Sequence, residues 1–110
     1  QKITSMAIVI GRKKANHSRM NVLLYGKKEF GLHVANKMNR RIEHCAALLA
    51  DHPRLGKIEP LLVGRRFEYR SLVIHEHYKL IYYINDNNGV IYITDLFDTR
   101  REPKRLAENI

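Results

Sequence analysis

Three apolar runs in the C-terminal half, separated by two turn signals, most constrain the fold of this chain. The runs are FEYRSLVI (67–74), YKLIYYI (78–84) and VIYITDLF (90–97). Each is rich in the β-branched and aromatic residues that favour strands. HEH (75–77) separates the first two runs, and NDNNG (85–89), a dense turn signal, separates the last two. The sequence therefore predicts a three-stranded antiparallel meander.

Two helices are predicted before this meander. From about Glu29 to Ala50, apolar residues recur at spacings of three and four and form one helix face. A weaker apolar stripe runs from about Lys14 to Lys27, where Gly26 and the following lysines indicate the helix end. Two helices with so short a connection predict an antiparallel helical hairpin, which would cover one face of the sheet.

The remaining segments complete the predicted architecture. MAIVI (6–10) predicts an N-terminal strand at an edge of the sheet, and residues 53–66 predict a long connection. The polar tail, residues 98–110, has Pro103 where a short helix could begin. The predicted fold class is therefore α+β: an N-terminal strand, a helical hairpin and a three-stranded antiparallel meander in one twisted sheet. The sheet face opposite the helices should be only partly covered.

The length of the chain favours a single domain. Its 110 residues match the usual size of one domain with its own core. The first apolar run begins at Met6, and residues 1–5, which precede it, look like a leader. We therefore expect one domain over residues 6–110.

Two long cations lie inside the predicted strands, Arg70 in the first and Lys79 in the second. An isolated buried cation is costly, so both side chains must reach water, a carboxylate or a bound anion. Arg100 and Arg101 follow the last strand. We expect neighbouring strands to bring Arg70, Lys79 and Arg100 onto one concave, positively charged wall. The alternative is that these cations pair with carboxylates of the chain itself, namely Glu68, Glu76, Asp95 or Asp98.

The charge balance also indicates an anionic partner. Twenty Lys and Arg against eleven Asp and Glu give a formal net charge of +9. In a small domain this excess points to nucleic acid, an anionic surface or an acidic protein. Arginine binds phosphate and carboxylate alike through its planar fork, and the strand tyrosines could stack on bases. The candidate anion-binding residues are Arg66, Arg70, Lys79, Arg100 and Arg101.

No motif in the sequence indicates a metal or a cofactor, and we expect neither. His75 and His77 form an HxH pair, but they lie at a predicted turn without a third ligand. Cys45 lies among alanines and leucines, which predicts a core residue rather than a nucleophile. Because a lone cysteine cannot form an internal disulfide, a cytoplasmic location is expected. No apolar run approaches the roughly 20 residues of a membrane span, so no membrane partner is expected.

Three stretches in this order resemble the RelE/ParE superfamily of bacterial toxins. They are YGKKEFGLHVANKMNRRIEHCAALLADHPRLGKIEPLL, EYRSLVIHEHYKLIYYI and VIYITDLFDTRREP, and the likeness extends from about Met6 to about Leu106. The resemblance implies a helical hairpin packed on a twisted antiparallel sheet. It also implies the toxin half of a type II toxin–antitoxin, or plasmid stabilisation, system. The implied partner is a cognate antitoxin, whose acidic segment could order itself on a basic groove of the toxin.

The superfamily implies two alternative activities. ParE-like members inhibit DNA gyrase by binding it, whereas RelE-like members cut messenger RNA on the ribosome by attack of a 2′-hydroxyl on the adjacent phosphate. For the second activity, the resemblance gives Arg70, Lys79 and Arg100 as candidate catalytic residues. This chain departs from the RelE-like pattern, because Leu72 replaces a second strand lysine and no tyrosine occurs between residues 98 and 110. These departures favour a gyrase inhibitor without enzymatic activity, with the endoribonuclease as the alternative.

A third interpretation lies outside the toxin class. A small basic module that binds nucleic acid would account for the charge without any effect on growth. Such a module should bind single strands and duplexes with a strong dependence on salt.

Overall fold

The computed structural model describes residues 6–109, so the predicted leader, residues 1–5, lies outside the described residues. The elements are β1 (Val9–Gly11), α1 (Lys13–Phe30), α2 (Leu32–Asp51), β2 (Lys57–Ile58), a 3₁₀ turn (Pro60–Leu62), β3 (Tyr69–His75), β4 (Tyr78–Ile84), β5 (Ile91–Asp98) and α3 (Pro103–Asn109). This order agrees with the predicted one. The segment predicted as a long connection additionally contains the short strand β2 and the 3₁₀ turn.

The five strands form one sheet in the order β1-β5-β4-β3-β2. β3, β4 and β5 form the predicted antiparallel meander. β1 occupies the predicted edge position and pairs in parallel with β5, while β2 pairs antiparallel with β3 at the other edge. The α+β fold class is therefore confirmed, although the sheet is mixed and has one strand more than predicted.

Local sequence accounts for the turn between β4 and β5. The Asn85 side-chain oxygen accepts a hydrogen bond from the Asn87 N–H at 2.9 Å, which is the usual Asx turn. Gly89 has a φ of +72°, a left-handed conformation that glycine adopts without steric cost. Its N–H donates to the Asn85 carbonyl at 2.7 Å. These contacts confirm the tight hairpin predicted from NDNNG.

The helical hairpin is present, but its first helix is longer than predicted. α1 continues through Gly26 to Phe30. The predicted end near Lys27 is wrong, because a glycine within a helix costs only about 1 kcal/mol and packing against a neighbouring helix overrides it. The reversal occurs instead at Gly31, whose φ of +94° favours glycine.

Helices α1 and α2 cover one face of the sheet, called here the helix face. Ile42 and Leu49 of α2 pack there on Leu80 and Tyr82 of β4. Cys45 belongs to the same cluster, as predicted, and burial raises the pKa of its thiol.

A smaller apolar cluster lies on the opposite sheet face, called here the second face. It contains Leu62 of the 3₁₀ turn, Ile81 of β4, Phe97 of β5 and Leu106 of α3. The connection predicted as irregular therefore covers part of the sheet, together with the C-terminal helix that Pro103 begins. This cover is partial, and the ends of β4 and β5 nearest the 85–89 turn carry the side chains described below.

The described residues contain neither a membrane-spanning helix nor a cluster of metal ligands. Within residues 6–109, no helix combines the length and the apolar character that crossing a membrane requires. Over the same range, no group of three or more His, Cys, Asp or Glu side chains is placed to hold a metal ion. The rings of His75 and His77 lie 6.1 Å apart between their centroids.

Candidate functional site

The two strand cations lie on opposite faces of the sheet. Arg70 is paired with Tyr82 across the β3–β4 ladder, whereas Lys79 is paired with Val73. Residues directly opposite in a ladder share a face, and neighbours along a strand alternate. Tyr82 belongs to the core under the helices, so Arg70 lies on the helix face and Lys79 on the second face. The prediction that Arg70, Lys79 and Arg100 share one wall is therefore wrong.

Arg70 is held by groups of its own chain. One guanidinium nitrogen donates to the Gly56 carbonyl at 2.8 Å, and another donates to Glu68 Oε1 at 3.1 Å. Only 15% of the side chain is exposed. Arg70 therefore fixes the segment that follows α2 to the sheet, and its donors are largely occupied.

Lys79 forms a buried ion pair with Glu59. Glu59 is only 1% exposed. The other carboxylate oxygen of Glu59 accepts a hydrogen bond from the Leu61 N–H at 2.9 Å and so caps the 3₁₀ turn. Burial by itself raises the pKa of Glu59, but the hydrogen bonds from Lys79 and Leu61 outweigh it, and the net pKa is lowered. The pair thus anchors the 3₁₀ turn on the second face.

Arg100 forms a bidentate pair with Asp98 at the end of β5. Its Nε and one terminal nitrogen donate to the two carboxylate oxygens, each at 2.9 Å. These hydrogen bonds from Arg100 outweigh the opposing effect of burial and lower the pKa of Asp98. Arg100 also lies 3.4 Å from the Tyr78 hydroxyl, on the helix face of the sheet. Glu68 and Asp98, two of the four carboxylates considered in the sequence, are therefore partners of the candidate cations.

The lowered pKa values of Glu59 and Asp98 predict how stability depends on pH. A carboxyl group whose pKa is lower in the folded state stabilises the fold above its unfolded-state pKa, and this contribution is lost as pH falls through the folded-state pKa. We expect the urea-derived free energy of unfolding to be nearly constant above about pH 5 and to fall below about pH 4, near the unfolded-state values of Glu and Asp. The variant Glu59→Gln should show a shallower acid decline than the wild type. An equal decline in both would contradict the assignment to Glu59.

Arg66 and Arg101 differ from the other three candidate anion-binding residues. Among the described residues, neither Arg66 nor Arg101 forms an ion pair. Arg101 lines a cleft of about 480 Å³ between α1 and the end of β5, together with Arg100 and Tyr25. Arg66 lies on the side chain of Phe67, with 5.1 Å between its guanidinium carbon and the ring centroid.

Arg66 is one end of a stack of side chains that crosses the second face. Phe67 stacks on Tyr83, with 4.0 Å between ring centroids, and Tyr83 stacks on Tyr92 at 5.4 Å. The guanidinium of Arg12 lies 5.4 Å from the Tyr92 ring centroid and ends the stack. We call Arg66, Phe67, Tyr83, Tyr92 and Arg12 the arginine–aromatic row.

The sequence did not single out Glu59 or Arg12. A local signal for Glu59 exists, because an acidic residue directly before a proline is placed to cap a short helical turn. For Arg12 there is none, since its contact with Tyr92 joins residues 80 positions apart and depends on the pairing of β1 with β5.

The structure also limits the role of the strand tyrosines. Tyr82 is completely buried on the helix face, where its hydroxyl accepts from the Gly56 N–H and donates to the Pro53 carbonyl, each at 2.8 Å. Tyr83 is only 6% exposed. These two side chains therefore serve the fold, and base stacking on them is excluded by their burial.

Comparison with known proteins identifies the family. A family model described as "ParE toxin of type II toxin-antitoxin system, parDE" matches residues 12–103. The chain belongs to this ParE toxin family. No curated protein sequence matches this member of the family.

Solved structures confirm the ParE-like fold. The chain is similar to "Chromosomal ParDE TA system from P. aeruginosa", with a TM-score of 0.70, 16% identity, and coverage of 86% of this chain and 98% of that one. It is also similar to "The structure of YoeB dimer from Staphylococcus aureus", with a TM-score of 0.55, 19% identity, and coverage of 84% and 97%. The resemblance to the RelE/ParE superfamily that the sequence indicated is therefore confirmed.

Proposed function

We propose that this ParE-family toxin inhibits DNA gyrase by binding it in the bacterial cytoplasm, and that a cognate antitoxin neutralises it. The observation that carries this proposal is the separation of Arg70, Lys79 and Arg100. Arg70 and Lys79 lie on opposite sheet faces, and each of the three cations is engaged by a carboxylate of the chain itself. This arrangement favours a toxin that acts by binding.

Cleavage of RNA requires a different arrangement. The 2′-hydroxyl needs a base, the phosphate needs cations free to receive the developing charge, and the leaving oxygen needs a proton donor, all around one phosphate. Here the candidate cations do not converge, and the C-terminal segment after Asp98 contains no tyrosine. The endoribonuclease remains the alternative that the experiment below must exclude.

The tip of the helical hairpin offers a surface suited to binding a protein target. Leu24, Phe30 and Leu32 are between 57% and 65% exposed there. Large apolar side chains clustered at the surface commonly mark protein interaction sites. This surface, together with the segment after β5, is where we expect the contact with gyrase.

Induced expression in a bacterial host tests the proposed activity. We expect growth to stop, plasmid supercoiling to fall and a DNA-damage reporter to rise while messenger RNA remains intact. The purified protein should inhibit supercoiling by purified gyrase without ribosomes or RNA. Coexpression of the cognate antitoxin, to be sought in the reading frame beside the toxin gene, should restore growth.

The variant Arg100→Ala separates the two toxin activities, with Lys104→Ala as its control. Both side chains are more than half exposed and each lies near a carboxylate of the C-terminal segment, so neither change should unfold the protein. If the protein is a gyrase inhibitor, messenger RNA should remain intact during expression of the wild type and of both variants, because the protein cuts no message. Codon-phased cleavage that Arg100→Ala abolishes and Lys104→Ala preserves would contradict the proposal. Salt-dependent nucleic-acid binding without growth inhibition would support the non-toxic basic module instead.

A further inference from the structure

The arginine–aromatic row collects positive charge that the chain does not neutralise. Within residues 6–109, Arg12 and Arg66 form no ion pair, in contrast to Arg70, Lys79 and Arg100. Both residues are exposed. The fold therefore engages the other candidate cations, with Arg66 and Arg101 the exceptions, and leaves the guanidinium groups at the two ends of the row available to an anion.

A third arginine belongs to the same surface. Arg65 directly precedes Arg66, is exposed and donates one hydrogen bond to the Ala107 carbonyl at 2.9 Å. Tyr69 connects it to the row, since the Tyr69 ring packs edge-on against Tyr83 at 5.4 Å. Burial raises the pKa of Tyr69, while the nearby charges of Arg65 and Arg12 oppose that rise. The charges of Arg65 and Arg12 thus both act on the same tyrosine.

The geometry of the rings indicates which anion fits. A nucleic acid base stacks on a free ring face, but the faces within the row are covered by the next ring or by a guanidinium. What this surface retains for a partner is the guanidinium donors at its ends, which suit carboxylates. The row therefore favours an acidic polypeptide over a single-stranded nucleic acid.

We propose that Arg12, Arg65 and Arg66 form the docking surface for an extended acidic segment of the antitoxin. This inference rests on the proposed function, because it names the surface on which neutralisation occurs. The row has Tyr83 on β4 and Tyr92 on β5, and neighbouring strands lie about 4.8 Å apart. An extended segment advances about 3.3 Å per residue, so a few acidic residues can place carboxylates against both ends of the row.

A binding measurement on the intact chain tests this surface. The probe is a fluorescein-labelled peptide of twelve glutamates, followed by anisotropy at about 50 mM and 150 mM salt. Both variants remove three positive charges: the test variant is Arg12→Gln/Arg65→Gln/Arg66→Gln, and the control is Lys28→Gln/Lys37→Gln/Arg40→Gln on the exposed helix surface. We expect the test variant to bind at least tenfold more weakly than the wild type, and the control to lie within about threefold, because the control loses only long-range attraction. Thermal unfolding of both variants verifies that they remain folded.

The outcomes distinguish failure of this surface from failure of the proposed function. Equal weakening in the two variants would overturn the docking surface, even if the protein inhibits gyrase. If the wild type bound a twelve-nucleotide thymidine strand more tightly than the peptide, and only the test variant lost that binding, the surface would belong to nucleic acid. Selective loss of peptide binding would support the surface, even if gyrase were unaffected and the proposed target were wrong.

Discussion

Replacing Glu59 by alanine is expected to destabilise the protein by about 3–5 kcal/mol, the range found when one partner of a buried ion pair is removed. The change leaves the Lys79 ammonium without its carboxylate in a site where only 17% of its side chain is exposed. It also removes the acceptor of the Leu61 N–H, which caps the 3₁₀ turn. Because domains are stable by only about 5–15 kcal/mol, urea unfolding at pH 7 should detect a loss of this size directly.

A double replacement distinguishes the ion pair from the position itself. Glu59→Leu/Lys79→Met exchanges both charges for apolar side chains of similar size, which is often neutral or stabilising. We expect it to recover most of the stability that Glu59→Ala loses. The exposed pair of Glu102 and Lys104 is the matched control, since its side chains are 69% and 74% exposed and Glu102→Ala should cost less than about 1 kcal/mol. Similar losses in Glu59→Ala and Glu102→Ala would show that burial does not govern the Glu59 pair.

The parts of the fold that the sequence predicted are those with local causes. The meander follows from strand-forming runs and from a turn whose Asn and Gly residues make their own hydrogen bonds. α2 follows from apolar residues at helical spacing, and α3 begins at Pro103, where the sequence placed a possible helix. In each case the conformation is determined by residues that are close together in the sequence.

What the sequence did not predict depends on contacts between distant segments. The position of Arg70 and Lys79 on opposite faces follows from the register of β3 against β4, which composition does not give. Lys79 finds its carboxylate 20 residues earlier, in a segment with no periodic pattern. Of the candidate binding residues, Arg66 and Arg101 form no ion pair among the described residues. The contact of Arg12 with Tyr92 depends on the edge pairing of β1 with β5.

Replacing Gly56 by alanine is expected to destabilise the protein by about 3 kcal/mol, at the upper end of the range for overpacking. A Cβ at this buried position would lie 2.6 Å from the Ser71 carbonyl oxygen and 2.8 Å from atoms of the Tyr82 side chain. Neither neighbour can move freely, because Ser71 belongs to β3 and Tyr82 is completely buried. The same displacement would disturb the hydrogen bond from the Gly56 N–H to the Tyr82 hydroxyl and that from Arg70 to the Gly56 carbonyl.

Gly26→Ala is the matched control, and we expect it to act in the opposite direction. Gly26 lies inside α1, and a Cβ there would approach no atom of α2 closer than the Ala35 Cα at 4.0 Å. Alanine restricts the unfolded chain and favours the helix, so the free energy of unfolding should rise by about 0.5–1 kcal/mol. Urea unfolding of both variants under one set of conditions measures the contrast. If Gly56→Ala were as stable as Gly26→Ala, the segment after α2 would not be packed tightly against β3, and the role given to Arg70 in fixing it would fail as well.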